Sequence, residues 1–429
     1  MRIKGKNKLK NRKIALTISS GRPIVKKVVK AFIENAVFHG FDYEDFFVYI
    51  SIDTEYFNSR VKDFIIGEEL SEKLNKIKYI TKEDRDQISE GIANSSSIDR
   101  NLSDLLFSGR GYSKQRNSAL IHALRDGCDY AICVDDDSAP IIPVKKEDGK
   151  ITWKNLDFFG PHIKALSEGA DITRGPYMGY QSPIPSDFEK DIPEEIREKL
   201  GEALELGNDV ITRDSFFNLM NKVKYLPIKE TLSPTRPFVV ESGAYGKTIY
   251  AGNMGINLAA VREGRIPIFY TPPSRARGED SIFALQLDDV NVVEVNSFIF
   301  HDPFTMYPNI FDDIFPKFLE KIPITKSTKW RFADSLIGWL KYAPILIRMT
   351  CSNDVERDER ITEMLSRIEY PTSRLADIFD CPDFNTCYDV LNEYHINSKT
   401  DYENLLVAQE KWRGNIIPVL NQSELVVTL

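Results

Sequence analysis

The stretch Tyr130-Ala131-Ile132-Cys133-Val134-Asp135-Asp136-Asp137 decides the fold of this 429-residue chain. A short apolar run passes directly into three acids, which is how a buried strand delivers charge at its C-terminal end. Just upstream, Tyr112 to Arg125 reads as a helix that stops at Gly127, a natural C-cap. Further back, residues 13–19 and 46–53 read as strands, residues 77–81 as a short third, and residues 23–38 as an amphipathic helix. Strands alternate with helices, so the expected fold is α/β and Rossmann-like. The sheet should be mostly parallel, with ligands gathering at the C-terminal strand ends.

Working outward on the other side, residues 180–237 turn polar and rich in proline, with a helix expected at 193–206. This stretch reads as an insertion or lid over the site. Strand signals return at 238–240, 247–250, 266–270 and 292–300, and beyond His301 the pattern becomes helical. The expected organisation is a catalytic domain over 1–305 and a helical region over 306–429. That region would stand apart from the donor site, covering the catalytic domain, making an oligomer contact or holding an acceptor.

Hydrophobic residues are 42% of the chain and charged residues 28%, the balance of a folded protein rather than a disordered one. A formal charge of −8 argues against a general nucleic-acid binder, which would need a basic excess for phosphates. The five cysteines form no CxxC pair, which favours a reduced, cytoplasmic protein. No apolar run reaches transmembrane length. The nearest, residues 336–349, is interrupted by Lys341, Pro344 and Arg348 and reads as a buried or half-buried helix, with peripheral membrane contact as the alternative. The basic start, Arg2 to Lys13, reads as a solvated tail.

Several clusters suggest chemistry. Side chains alternate along an extended chain, so Asp135 and Asp137 can share a face while Asp136 points elsewhere. Two converging carboxylates at a sheet edge suit a divalent ion bridging to a diphosphate; the plain alternative is a solvated acidic turn. Lys114 and Arg116 occupy the first turn of a helix, where the macrodipole disfavours cations, and a bound diphosphate would resolve that conflict. Flexible side chains reaching solvent would resolve it equally. In Arg277-Gly278-Glu279-Asp280, an acid could serve as general base, or both acids could simply favour the helix N-terminus. His301 ends an apolar run and suits Mn2+ when neutral, although a lone histidine is more often structural. Gly252-Asn253-Met254-Gly255 allows close backbone approach to a ligand, or marks a turn.

Taken in order, these elements resemble the nucleotide-sugar glycosyltransferases of the GT-A fold, over about residues 13–303. The resemblance implies a donor site of Ser19, Arg22, Asp53, Lys114, Arg116, Asn117, Asp135 and Asp136. It implies acceptor or sugar contacts from Gly252, Asn253, Met254 and Arg277. A Mn2+ or Mg2+ ion would be held by Asp137 and His301, with Asp135 close by. Glu279 and Asp280 would be catalytic: Asp280 as base if transfer inverts, or as a positioning group if it retains. The implied reaction is a single transfer of a sugar, from a UDP- or GDP-linked donor to an acceptor hydroxyl. The QxxRW motif and membrane helices of processive members are missing, and the first loop, SSGRP, departs from the common pattern. Three alternatives remain: a sugar-phosphate nucleotidyltransferase, for which SSGRP is a poor phosphate loop; an aspartyl phosphatase, which lacks its threonine; and a non-catalytic nucleotide-sugar binding module.

Overall fold

A computed structural model describes residues 12–181, 191–209, 211, 223–232, 236–273 and 276–422. The first half winds as β1 (Ile14–Ser20), α1 (Val25–Phe38), β2 (Phe46–Ile52), β3 (Lys76–Ile80), α2 (Lys82–Ser96), α3 (Arg100–Phe107), α4 (Tyr112–Arg125) and β4 (Tyr130–Asp135). Next come β5 (Ser138–Ala139), β6 (Ile142–Lys145), β7 (Ile151–Lys154), α5 (Phe159–Ser167), β8 (Ile172–Arg174), β9 (Tyr177–Tyr180) and α6 (Glu194–Glu205). Then follow β10 (Val223–Lys224), β11 (Leu226–Pro227), β12 (Phe238–Val239), β13 (Asn253–Asn257), α7 (Leu258–Arg262), α8 (Glu279–Ala284), β14 (Val292–Glu294) and β15 (Ile299–His301). Three long helices, α9 (Lys326–Thr350), α10 (Asp354–Phe379) and α11 (Cys387–Lys411), and the short α12 (Ile417–Leu420) complete the chain.

The main sheet has the order β12-β14-β8-β13-β4-β1-β2-β3. It is parallel from β4 through β3, while β13 runs antiparallel between β4 and β8. Its central strands β1, β2 and β4 are buried on both faces, and alternate residues enter different cores. Ile14, Leu16, Ile18, Phe46, Val48, Ile50, Ile132 and Val134 pack with α1 and α5. Ala15, Phe47, Tyr49, Ala131 and Cys133 pack with α4 and with Leu405, Ala408 and Trp412 of the C-terminal helices. This two-sided burial explains why the strands read as continuous apolar runs. It also ties the C-terminal helices to the sheet through a shared core.

The register sets the site. Ser19 lies opposite both Ser51 and Asp135, so the C-terminal ends of β1, β2 and β4 are level. A second, four-stranded sheet, β10-β9-β15-β5, starts immediately after the three acids. In it His301 pairs with Ser138, and the amide of Asp302 donates to the carbonyl of Asp137 at 2.8 Å.

Several expectations need correction. Residues 247–250 and 266–270 are irregular, and in 266–270 side chains rather than a neighbouring strand satisfy much of the backbone. Gln409 brackets Ile268 (Nε2 to the carbonyl 2.9 Å, amide to Oε1 3.1 Å), and Trp412 Nε1 donates to the Ile266 carbonyl. The stretch 292–300 is divided between two sheets. Residues 336–349 do not offer an apolar face to a membrane: Leu336, Leu340, Ala343, Ile345, Leu346 and Ile347 are all buried in the protein. Among the described residues no helix is long and apolar enough to cross a membrane. All five cysteines are buried and unpaired. Of the expected lid, residues 182–190, 210, 212–222 and 233–235 lie outside the described residues, as does most of the basic start. The described helix α6 packs through Ile196, Leu200 and Leu204 against α9 and α10.

Candidate active site

A cleft of about 1000 Å3 opens at the level C-terminal ends of β1, β2 and β4. On one side the chain leaving β2 places Asp53 and Glu55, and Arg110 clamps both at 2.8 and 2.7 Å. In the middle, Asp136 turns away from Asp135 and Asp137 and holds the first loop. It accepts from Ser20 Oγ at 2.8 Å and from the Gly21 amide at 3.2 Å, and Arg22 stands 3.5 Å away. Burial, opposed by Arg22 and reinforced by Asp137, pushes the Asp136 carboxyl up to about 6. Arg22 also pairs with Asp137 at 3.1 Å.

Arg116 is buried and donates to Asp135 at 2.9 Å, to Glu279 at 3.4 Å and to the Ala251 carbonyl at 2.9 Å. Arg116 is the fifth residue of α4, just past its first turn, and two protein carboxylates offset its charge. Gly252 is required beside it, since a Cβ there would meet Asp135 Oδ2 at 2.0 Å and the Tyr177 hydroxyl at 2.5 Å. Glu279 and Asp280 begin α8 immediately after Gly278, whose φ of +83° is left-handed and whose missing Cβ makes room for the Tyr342 ring. Burial, then Glu279 and Asp209, push the Asp280 carboxyl up to about 8.

His301 brings a fourth element. Its Nδ1 lies 2.5 Å from the Tyr180 carbonyl, which can only accept, so Nδ1 carries the proton and Nε2 the lone pair in the neutral ring. Tyr177 stacks on the ring at 5.0 Å. Nε2 faces Asp137 Oδ1 at 3.6 Å, and that oxygen is buried with no hydrogen-bond partner among the described residues. Burial opposes ionisation of Asp137, but His301 when protonated, and then Arg22 and Arg331, outweigh it and hold the carboxyl below its ordinary value. An orphaned anionic oxygen beside an imidazole lone pair fits a divalent cation. The second imidazole nitrogen is fixed by a carbonyl, as is usual for metal-binding histidines. Among the described residues no three or more His, Cys, Asp or Glu gather as a complete metal site. A cation completed by substrate phosphates and water needs only one or two protein ligands. Among the described residues nine carboxylates against five arginines line the cleft, an acid excess that such a cation would offset.

Not every expected residue reaches the cleft. Ser19, Arg22, Asp53, Arg116, Asp135, Asp136, Asp137, Arg277, Glu279 and Asp280 line it, and His301 meets it through Asp137. Asn117 is a correction: it is fully buried and brackets the backbone of Phe269, with Nδ2 to the carbonyl at 2.9 Å and the amide to Oδ1 at 3.1 Å. Asn253 is another, held by His162, Pro176 and Ser297 within β13, and Met254 is a core residue. Lys114 is not among the lining residues; it lies beside Gly109, on the side of Asp86 and Asp104.

The helical region does not stand apart from the cleft. Ser327, Trp330, Arg331 and Asp334 of α9 follow helical spacing on one face and form its far wall, with Trp339 and Tyr342 beyond. Arg277 reaches across to Asp334 at 2.8 Å. Sequence gave no sign of this wall, because nothing local marks which face of α9 meets the cleft. Asp209 also lines the cleft from the otherwise polar insertion.

No family model matches this chain, and no curated protein does. Solved structures similar over most of the chain include S. aureus TarS 1-349, with 10% identity over 90% of this chain and 91% of that one and a TM-score of 0.36. The mannosyltransferase PcManGT from Pyrobaculum calidifontis, in complex with GDP-Man and Mn2+, has 11% identity over 91% and 88% and a TM-score of 0.36. A mycobacterial protein has 11% identity over 76% and 75% and a TM-score of 0.31. At such scores the likeness carries no weight for activity, which rests on the residues of this chain.

Proposed function

We propose that this chain is a metal-dependent glycosyltransferase that moves a sugar from a nucleoside-diphosphate sugar to an acceptor hydroxyl. The observation that carries this reading is the partnerless Asp137 Oδ1 facing the lone pair of His301 Nε2, at the strand ends where a diphosphate would lie. Asp137 and His301 would hold Mn2+ or Mg2+, which when bound would stabilise the negative charge gathering on the leaving diphosphate. Asp53, which Arg110 clamps, would accept hydrogen bonds from the nucleoside. Asp135, which Arg116 holds, would face its ribose.

The acceptor hydroxyl needs a group to take its proton, and Asp280 is the candidate in the cleft. A carboxyl pushed up to about 8 is a stronger base than an ordinary one, but it holds its own proton at neutral pH. Inverting transfer through Asp280 should therefore speed up as pH rises toward that value. A flat profile would instead favour retention, with Asp280 positioning the acceptor or sugar. The test of the activity itself is turnover of UDP- and GDP-linked sugars with and without Mn2+. Metal-dependent release of the nucleoside diphosphate supports the reading, and no turnover of any nucleotide sugar removes it.

A further inference from the structure

We infer that Asp209 is a substrate-contacting residue, whose orphaned carboxylate oxygen accepts a hydrogen bond from a hydroxyl of the sugar being transferred. The inference rests on the transferase reading above and adds a residue of the insertion to its donor site. Among the described residues Asp209 Oδ1 is buried with no hydrogen-bond partner, and Asp209 lines the cleft with Asp280, Ser281 and Tyr342. An acceptor stripped of water and given no donor costs free energy, and a hydroxyl arriving with a ligand removes that cost.

The turn that carries Asp209 is fastened to α9. Asn208 Nδ2 donates to the Tyr342 hydroxyl at 3.0 Å, and Asn208 Oδ1 accepts from the Ile211 amide at 2.9 Å. Gly207 lies so near α9 that a Cβ there would meet Ala343 at 2.7 Å, and Ile211 is buried in one core with Leu336 and Leu340. The insertion therefore brings a single acid to the cleft on a fixed support.

The neighbours select a hydroxyl rather than a metal ion. The orphaned oxygen of Asp137 faces an imidazole lone pair, but Asp209 has the hydroxyls of Ser281 and Tyr342 beside it. Asp280 holds its own proton at neutral pH, and Glu279 is engaged by Arg116, so neither offers a free anionic ligand. Burial, only partly offset by the two hydroxyls, lifts the Asp209 carboxyl above its ordinary value. This wall is short of a donor, which a sugar hydroxyl supplies. Trp339 and Tyr342 add flat apolar surface to it, suited to a ring that is hydroxylated at its rim.

The acceptor is the other source of the same hydroxyl chemistry. It would enter through the opening, where Tyr56, Phe57 and Trp330 are exposed. The Asp209 oxygen is instead closed off from solvent, at a depth that suits the group bound first, and that is the sugar of the donor.

The test is calorimetric titration of the full chain, with Mn2+ present, using UDP, GDP, UDP-glucose, UDP-galactose and GDP-mannose. Asp209→Ala should weaken the nucleotide sugar that wild type binds most tightly at least tenfold, while the matching bare nucleotide stays within twofold. Asp209→Asn, which keeps one acceptor oxygen, should fall between. If Asp209→Ala melts early, Asp209→Asn decides, with a selective loss of at least threefold expected. Equal losses for nucleotide and nucleotide sugar, or no loss for either, overturn the assignment. Unchanged binding, with diphosphate release impaired only when methyl glucoside is supplied as acceptor, moves the oxygen to the acceptor and overturns it too. A selective loss in a chain whose wild type releases no diphosphate keeps this contact and removes the transferase reading. A wild type that binds no nucleotide sugar removes both.

Discussion

Asp137 and His301 are 164 positions apart in the chain, yet their side chains meet at 3.6 Å because β15 pairs with β5. Ser138 lies opposite His301, and the Asp302 amide is bonded to the Asp137 carbonyl, so backbone pairing fixes the distance. Two sheets contribute: β4 delivers the acids, and the smaller sheet returns the imidazole to them.

Asp280→Asn tests the buried acid through pH. The folded carboxyl titrates at about 8, against an ordinary value of 3.8, so the folded chain keeps a proton that the unfolded chain has lost between those values. Its contribution to stability is therefore full at low pH and is lost as pH rises through the folded value, with a slope of up to about 1.4 kcal/mol per pH unit. Asp280→Asn should melt above wild type at pH 8 and lose the advantage near pH 4, while sugar transfer falls at least a hundredfold. Equal melting temperatures across that range would show that Asp280 ionises normally.

Gly252→Ala should damage activity through Asp135. The added carbon would sit on Asp135 Oδ2 and the Tyr177 hydroxyl, moving the carboxylate off Arg116. We expect nucleotide-sugar turnover to drop at least tenfold with the melting temperature lowered by a few degrees. Full activity would mean that the Asp135 position is not critical.

Asn117→Ala should behave as a structural lesion. It strands the amide and carbonyl of Phe269 in the core, at about 1–3 kcal/mol for each unpaired group. Melting should fall by many degrees while the nucleotide affinity of the folded fraction stays within twofold. A specific loss of nucleotide affinity without destabilisation would return Asn117 to the donor site.

Much of the parallel half was legible because its strands are buried on both faces and its helix ends carry ordinary signals; α4, for example, runs from Tyr112 to Arg125 as the sequence implies. The antiparallel strand β13 was not, because Gly252, Asn253 and Gly255 read as a turn. The missing side chains of Gly252 and Gly255 instead serve close packing against Asp135 and Thr173. Nor were residues 266–270, whose apolar run resembles a strand while Gln409, Trp412 and Asn117 supply the partners. The acids and His301 could be found by residue type and position at strand ends. Asp209 could not, since nothing local in the polar insertion marks an acid that reaches the cleft.

If Asp137 and His301 together seat a divalent cation at the diphosphate, both side chains should govern Mn2+ affinity. Titrating Mn2+ into wild type, Asp137→Asn and His301→Ala with UDP or GDP present tests it most directly. Each variant should bind Mn2+ at least tenfold more weakly while remaining folded, since Asp136 still holds Arg22 and the first loop. Mn2+ affinity equal to wild type in both folded variants would contradict it.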